Sequence, residues 1–170
     1  DGLDGLLVSC MIVVFSTLAF GEISILPLIA SMIAFLFYNW HPAKIFMGDS
    51  GSTFIGALFF GLLMQIDNEV ELFKSFFLIT PIFADCVTCI IRRYRCGQNI
   101  FKAHKLHLFQ RLHQAGWSQL QVVMLYVLGV LLLSLAFFSQ GITLCLIVSI
   151  IEVIIGFYLD RFCAIKFINA

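Results

Sequence analysis

Charge is what this sequence has least of, and the little it has cancels: ten Lys and Arg balance ten Asp and Glu, together 12% of 170 residues. With no net charge at pH 7 there is no general basic character to draw the chain to nucleic acid. An initiator methionine, a signal-peptide pattern, a low-complexity tract and an internal repeat are also missing. The chain opens directly on D-G-L-D-G-L, which predicts a fragment whose N-terminal part lies upstream. Six cysteines (10, 86, 89, 96, 145, 163) fall mostly in apolar runs or among basic residues, which argues against disulfides. Cys86-x-x-Cys89 has the spacing of a redox or metal pair, but no second pair accompanies it, so small-residue helix packing is the expected role.

In place of charge there is apolar sequence. Hydrophobic residues make up 61% and the mean hydropathy is +1.04, the composition of an integral membrane protein. A spanning helix needs about 20 mainly apolar residues to cross roughly 30 Å of hydrocarbon. Stretches of that kind lie between Asp4 and Glu22, Glu22 and Lys44, Asp49 and Asp67, and Lys74 and Arg92, the last containing Asp85 and a tolerable kink at Pro81. Two more divide near Ser139-Gln140-Gly141, the final one running from about Ile142 to Leu159 around Glu152. The expectation is an all-α polytopic protein, six transmembrane helices in a single membrane domain over residues 1–170, with a basic, histidine-bearing loop over 92–117.

Alternating six spans puts Lys44, Arg92, Arg93, Arg95, Lys102, Lys105, Arg111, Arg161 and Lys166 on one side and leaves Lys74 alone on the other. The positive-inside rule makes the basic side cytoplasmic. Asp1, Asp4, Asp49 and all four histidines fall on or near the same face. Polar chemistry confined to one face suits an enzyme with cytoplasmic substrates better than a channel.

The run from Asn39 to Ser52, N-W-H-P-A-K-I-F-M-G-D-S-G-S, sets a carboxylate between Gly48 and Gly51 at a membrane edge. Gly48 and Gly51 permit a close backbone approach to a ligand, Lys44 supplies a point charge for phosphate, and Ser50 and Ser52 add hydroxyls. Ser50 could equally cap the following helix, with Lys44 as an interfacial anchor. Asp1 and Asp4, three apart, would share a helix face just before the first span, where acids also favour the positive end of the helix dipole.

The segment from Arg92 to Gly116 gathers six basic residues with His104, His107 and His113. Histidine there could bind phosphate, act as acid or base, or ligate metal. His104 and His107 at i, i+3 could share a helix face. No cysteine or carboxylate completes a zinc set nearby in sequence, so zinc is not expected. A basic amphipathic segment resting on anionic headgroups is the plain alternative. Asp85, about 10 Å of helix rise from the cytoplasmic end, is an intramembrane acid and a functional candidate by default. For Glu152, protonation or an interhelical hydrogen bond suffices. Ala57 and Gly61 form a small-x-x-x-small pair suited to close helix packing.

These motifs, in this order, resemble those of the polyprenyl-phosphate N-acetylhexosamine-1-phosphate transferases, relatives of the enzyme that makes the first lipid intermediate of peptidoglycan. D-G-L-D-G-L resembles the end of the family's N-x-x-D-G-x-D-G-L motif. Asn39 to Ser52 resembles its N-x-x-P-A-K-x-F-M-G-D-x-G-S motif, and His104 to Gln110 its cytoplasmic histidine loop. That loop departs from the common H-x-H-H form and looks like the A-H-[KR]-x-H-x-[FY]-Q variant of enzymes that start O-antigen or related surface polysaccharides. The resemblance implies transfer of a sugar 1-phosphate from a UDP-N-acetylhexosamine to a polyprenyl phosphate, with release of UMP, assisted by Mg2+ with Mn2+ as an alternative. It implies a multi-pass protein of the bacterial inner membrane among membrane lipids, compatible with a homodimer, its active site facing the cytoplasm. By the same resemblance Asp1, Asp4, Asp49 and His107 are catalytic, with Asp49 the metal ligand and Asp1 and Asp4 near nucleotide and metal. Lys44, Ser50, Gly51, His104 and Arg111 bind substrate. The family's earlier Asp-Asp pair is not in this chain, so the segment alone is expected to be inactive. Two readings from other classes compete: a transporter relaying through Asp85 and Glu152, and a noncatalytic membrane scaffold.

Overall fold

A computed structural model describes residues 2–19 and 23–167. Eight α-helices form, α1 (Leu6–Leu18), α2 (Leu26–Asn39), α3 (Gly48–Leu63), α4 (Glu69–Phe77), α5 (Thr80–Arg95), α6 (Leu108–Gln114), α7 (Gln119–Phe137) and α8 (Thr143–Phe162), with a 3-10 turn at Ile23–Ile25 before α2. The described residues contain no strand.

Local sequence sets the boundaries. Ser118 opens α7 with a reciprocal cap: its Oγ accepts from Gln121 N at 3.2 Å while its own N–H donates to Gln121 Oε1 at 2.8 Å. Asn68 opens α4 by accepting from Val70 N and Glu71 N at 2.9 and 3.2 Å. Pro81 stands in the first turn of α5, where its missing N–H costs nothing, and it prevents α4 from continuing as the same helix. The two meet at 68°.

Two helices are long and apolar enough to cross a membrane, α7 with 19 residues and α8 with 20, and the bent α4–α5 pair makes a third if counted as one span. Residues 74–92 therefore break at the proline instead of forming one kinked helix. Helices α1, α2 and α3 have 13, 14 and 16 residues, too short by this measure. The apolar runs between charges are longer than the helices inside them, because the turns at Gly5 and at residues 40–47 fall within those runs.

The centre of the bundle is α7, against which α1, α5 and α8 pack. Val8, Val14 and Phe15 of α1 and Val122, Val130 and Leu133 of α7 are fully buried in one core. Among apolar surroundings such helices hold by side-chain packing and by occasional hydrogen bonds worth on average about 0.6 kcal/mol. Thr17 and Ser134 hydroxyls bond at 2.6 Å between α1 and α7, and Thr80 and Ser149 at 3.2 Å between α5 and α8. The Ala57–Gly61 pair is not used this way: both residues are exposed, and a methyl added to Gly61 would meet nothing within 4 Å.

The ends of the bundle hold different charged groups. At one end Lys74 Nζ donates to Ser139 O at 2.9 Å beyond α7 and lies 4.8 Å from the Phe137 ring centroid. At the other, Asp160 of α8 pairs with Arg92 of α5, Nη1 to Oδ1 at 2.6 Å, and with Arg111 of α6. Between these ends lies a cavity of about 200 Å³ bordered by α5, α7 and α8, on which Asp85 and Glu152 both open. The Glu152 carboxylate is buried without a hydrogen-bond partner among the described residues.

Candidate active site

The N-terminal motif joins the other two. Gly5 precedes α1 with φ 73°, a left-handed conformation that glycine takes without strain, and a Cβ there would lie 3.2 Å from the Trp40 ring. Its N–H donates at 3.1 Å to Oδ1 of Asn39, which is 1% exposed and donates in turn to Ile45 O at 2.9 Å. Asp4 Oδ2 accepts from Ala43 N at 3.2 Å and lies 2.9 Å from His41 Nδ1. On its other side, Gly2 abuts α6 so closely that a Cβ would stand 2.6 Å from Gln110 Nε2 and 2.8 Å from the Phe109 ring. Three segments far apart in sequence thus meet around residues 2–5. Asp4 lies in a turn ahead of α1; Asp1, and with it the expected pairing of the two carboxylates, lies outside the described residues.

The Asn39–Ser52 run closes into a loop by bonds from Lys44 N and Ile45 N to Tyr38 O, at 2.8 and 3.2 Å. That leaves the Lys44 side chain exposed beside exposed Ile45 and Phe46. Asp49 sits exposed in the first turn of α3, where the helix dipole favours a carboxylate or a bound anion. Ser50 is not the cap: α3 begins at Gly48 and has no side-chain cap, so Ser50 is already helical, with Gly51 after it. Ser52 Oγ donates back to Asp49 O at 3.2 Å.

The histidine segment is held by residues that its own sequence does not reveal. Asp85 is 8% exposed, and its Oδ1 accepts Leu108 N at 2.8 Å while Oδ2 accepts Tyr126 OH at 2.8 Å and Phe109 N at 3.4 Å. Its carboxylate thus closes the N-terminus of α6 from the neighbouring α5, a structural task that the competing transporter reading, with its relay through Asp85 and Glu152, does not need. Arg93, 3% exposed, donates to Ile100 O at 3.1 Å, to Lys102 O at 2.9 Å and to Asn99 O, folding the segment back onto α5. His104 and His107 precede α6 and do not share a helix face, yet their rings lie 5.0 Å apart, and His107 stacks on Phe109 at 5.2 Å. His104 has its pKa lowered from 6.5 by burial, by the charge of Arg93 and by His107.

Two expectations change here. Arg111, expected to meet substrate, is 3% exposed: Nε donates to Leu106 O at 3.1 Å, Nη1 to Ile165 O at 2.8 Å, and Nη2 to Asp160. Its guanidinium knits α6 to α8 and borders the cavity between α5, α7 and α8. Conversely, a cysteine does stand by the histidines. Cys89 of α5, 15 residues earlier in sequence, has its ligand atom within 4.8 Å of those of His104 and His107. Asp160 was not foreseen at all; its only sequence cue is a carboxylate beside Arg161 at the end of an apolar run.

The motifs that meet in space correspond to known proteins. The family model described as glycosyl transferase family 4 matches residues 1–67. The chain is 38% identical over 172 aligned residues to a probable undecaprenyl-phosphate N-acetylglucosaminyl 1-phosphate transferase of Bacillus subtilis, a match covering 92% of this chain and 48% of that protein. It is 30% identical to the phospho-N-acetylmuramoyl-pentapeptide-transferase of Carboxydothermus hydrogenoformans, over 79% of this chain and 44% of that protein. It is 31% identical to the decaprenyl-phosphate N-acetylglucosaminephosphotransferase of Mycobacterium leprae, over 76% and 41%. The chain thus spans somewhat less than half the length of these curated relatives. No solved structure matches. A shared family motif region, and similarity that runs on through the histidine segment, place this chain in glycosyl transferase family 4.

Proposed function

We propose that the protein carrying this chain transfers a sugar 1-phosphate of the N-acetylhexosamine type from a UDP-sugar to a polyprenyl phosphate, forming a polyprenyl diphosphate sugar and UMP. The single observation that carries this reading is the meeting of three motif segments at Gly2–Gly5: Asn39 and Ala43 on one side, Gln110 and Phe109 on the other. A reaction that joins two phosphates needs anion-binding and cation-holding groups within one small volume; Lys44 follows Ala43 in the loop that Asp4 holds, and His107 stacks on Phe109.

Asp49 fits Mg2+: its carboxylate is exposed and engaged in no side-chain hydrogen bond among the described residues, and Mg2+ takes one or two carboxylates together with substrate phosphates. When bound, the cation supplies positive charge to the pyrophosphate; Mn2+ has the same oxygen preference. Lys44, His104 and His107 bind phosphate oxygens, Ser50 and Gly51 line the substrate at the start of α3, and Asp4, held by Ala43 N, fixes the geometry of the Asn39–Ser52 loop against α1. All six apolar runs cross or enter the membrane, with the junction on the cytoplasmic face of a bacterial inner membrane. The reaction is the first membrane step of O-antigen or another envelope polysaccharide, and a homodimer is compatible with it.

The test is UMP release by the whole protein that carries this chain, supplied with Mg2+, a polyprenyl phosphate and a panel of UDP-N-acetylhexosamines. Turnover with one of them, lost on chelation and in Asp49→Asn, is the expected outcome. Wild-type turnover in Asp49→Asn removes the metal role, and no UMP with any sugar removes the reading.

A further inference from the structure

Beside the junction, Cys89, His104 and His107 converge where α5 meets the histidine segment. One ligand atom of each lies within 4.8 Å of the others. A tetrahedral zinc ion with bonds of about 2.0 Å to nitrogen and 2.3 Å to sulfur sets one sulfur and two nitrogens roughly 3.3–3.5 Å apart. The remaining gap of up to about 1.4 Å is within reach of side-chain rotation, since His104 sits on the loop before α6 and is only partly buried.

The ordinary account is a buried thiol acting as a small apolar group beside two neighbouring imidazoles whose rings are tilted by 34°. It leaves one atom unexplained. His107 Nδ1 is buried with no hydrogen-bond partner among the described residues, and Asp85 Oδ1 stands 3.7 Å from it, too far to bond. A histidine that ligates a metal through one nitrogen usually donates the other N–H to a carboxylate. A small turn of the His107 ring toward Asp85 would make that contact, leaving Nε2 as the nitrogen for the cation.

We propose that Cys89, His104 and His107 form a three-ligand site for a borderline-soft divalent cation of the zinc type, which clamps the histidine segment to α5 and leaves a fourth coordination position open. Sulfur and imidazole select such a cation over Mg2+, so this site is separate from the oxygen ligand at Asp49. Binding replaces the thiol proton: the S–H bond breaks, the proton leaves to solvent, and the sulfur lone pair forms the metal–sulfur bond. The proposal rests on the placement of these three side chains and holds whether or not the protein is a transferase.

The test is a titration of Co2+ into the purified protein in detergent micelles. One equivalent should bind with thiolate-to-cobalt charge-transfer absorption in the near ultraviolet and the strong visible bands of four-coordinate cobalt. Cys89→Ser should abolish the charge-transfer band and weaken binding by at least ~10-fold, the lower end of what even an outer-shell partner costs. Cys86→Ser, one turn away on α5, should leave both unchanged. A loop variant, His104→Ala, which spares the membrane helices, should lose affinity by a similar factor. Zn2+ should slow tryptic cleavage after the exposed Lys102 and Lys105 in the wild type and not in Cys89→Ser. Cobalt binding without a charge-transfer band, or a band that survives in Cys89→Ser, overturns the site.

Discussion

The carboxylate of Asp85 and the backbone N–H of Leu108 meet at 2.8 Å across 23 residues of sequence, so a helix that starts in the loop is capped from within the bundle. Tyr126 of α7 donates to the same carboxylate at 2.8 Å. One acid therefore fixes the relative positions of α5, α6 and α7.

Asp85→Ala leaves two backbone N–H groups and a buried hydroxyl without their acceptor, at about 1–3 kcal/mol for each group left unsatisfied. Thermal unfolding in detergent should show a clear loss of stability, with the segment before α6 becoming protease-sensitive. Tyr126→Phe removes one donor and leaves the carboxylate its two backbone partners, so the loss should be about 1 kcal/mol. Equal losses in the two variants would mean that the cap does not organise α6.

Gly2 tests whether the motif junction matters for turnover. A side chain there collides with Gln110 and the buried Phe109 ring, pushing residues 2–5 away from α6. Displacements near 1 Å can cost about 10²-fold in rate, so Gly2→Val should cut UMP release by up to that factor. Gly61→Ala, where an added methyl meets nothing within 4 Å, should leave it unchanged. Parity between the two variants in a UMP assay would separate the junction from catalysis.

His104 should titrate below its ordinary 6.5, the causes being burial first, then the charge of Arg93, then His107. Because the folded value is the lower one, the unfolded chain binds the proton more readily. Stability from this group is fully present above 6.5, falls as pH drops through 6.5, and levels off below the folded value. Side-chain NMR of histidine-labelled protein reads the midpoint. Arg93→Gln should raise it, and a midpoint above 6.5 in the wild type contradicts the packing around His104.

How far the sequence revealed this arrangement depended on how local each interaction is. The polar run at 39–52 and the exposed place of Asp49 were readable because glycines, a proline and a carboxylate stand together in one loop. The surroundings of Asp85 and Cys89 were not, because their neighbours come from 15 to 41 residues away and only the rotational phase of α5 brings them together. Arg111 looked like one more cation for phosphate until its burial gave each guanidinium nitrogen a partner within the protein, Leu106 O, Ile165 O and Asp160. Counting residues between charges overstated the helices, since turns at Gly5 and before Gly48 consume part of each apolar run.

Helices α1 and α2, with 13 and 14 residues, are about 20 Å long at 1.5 Å per residue. Hydrocarbon roughly 30 Å thick cannot match them without thinning beside them or letting their connecting loops sink below the headgroup plane. In both cases the water boundary would dip where the 39–48 loop lies. Under the proposed function a lipid phosphate in the leaflet would then arrive level with Lys44 and Asp49 without being lifted out of its bilayer, and the two exposed aromatics of the loop, Trp40 and Phe46, would rest among the acyl chains that come with it.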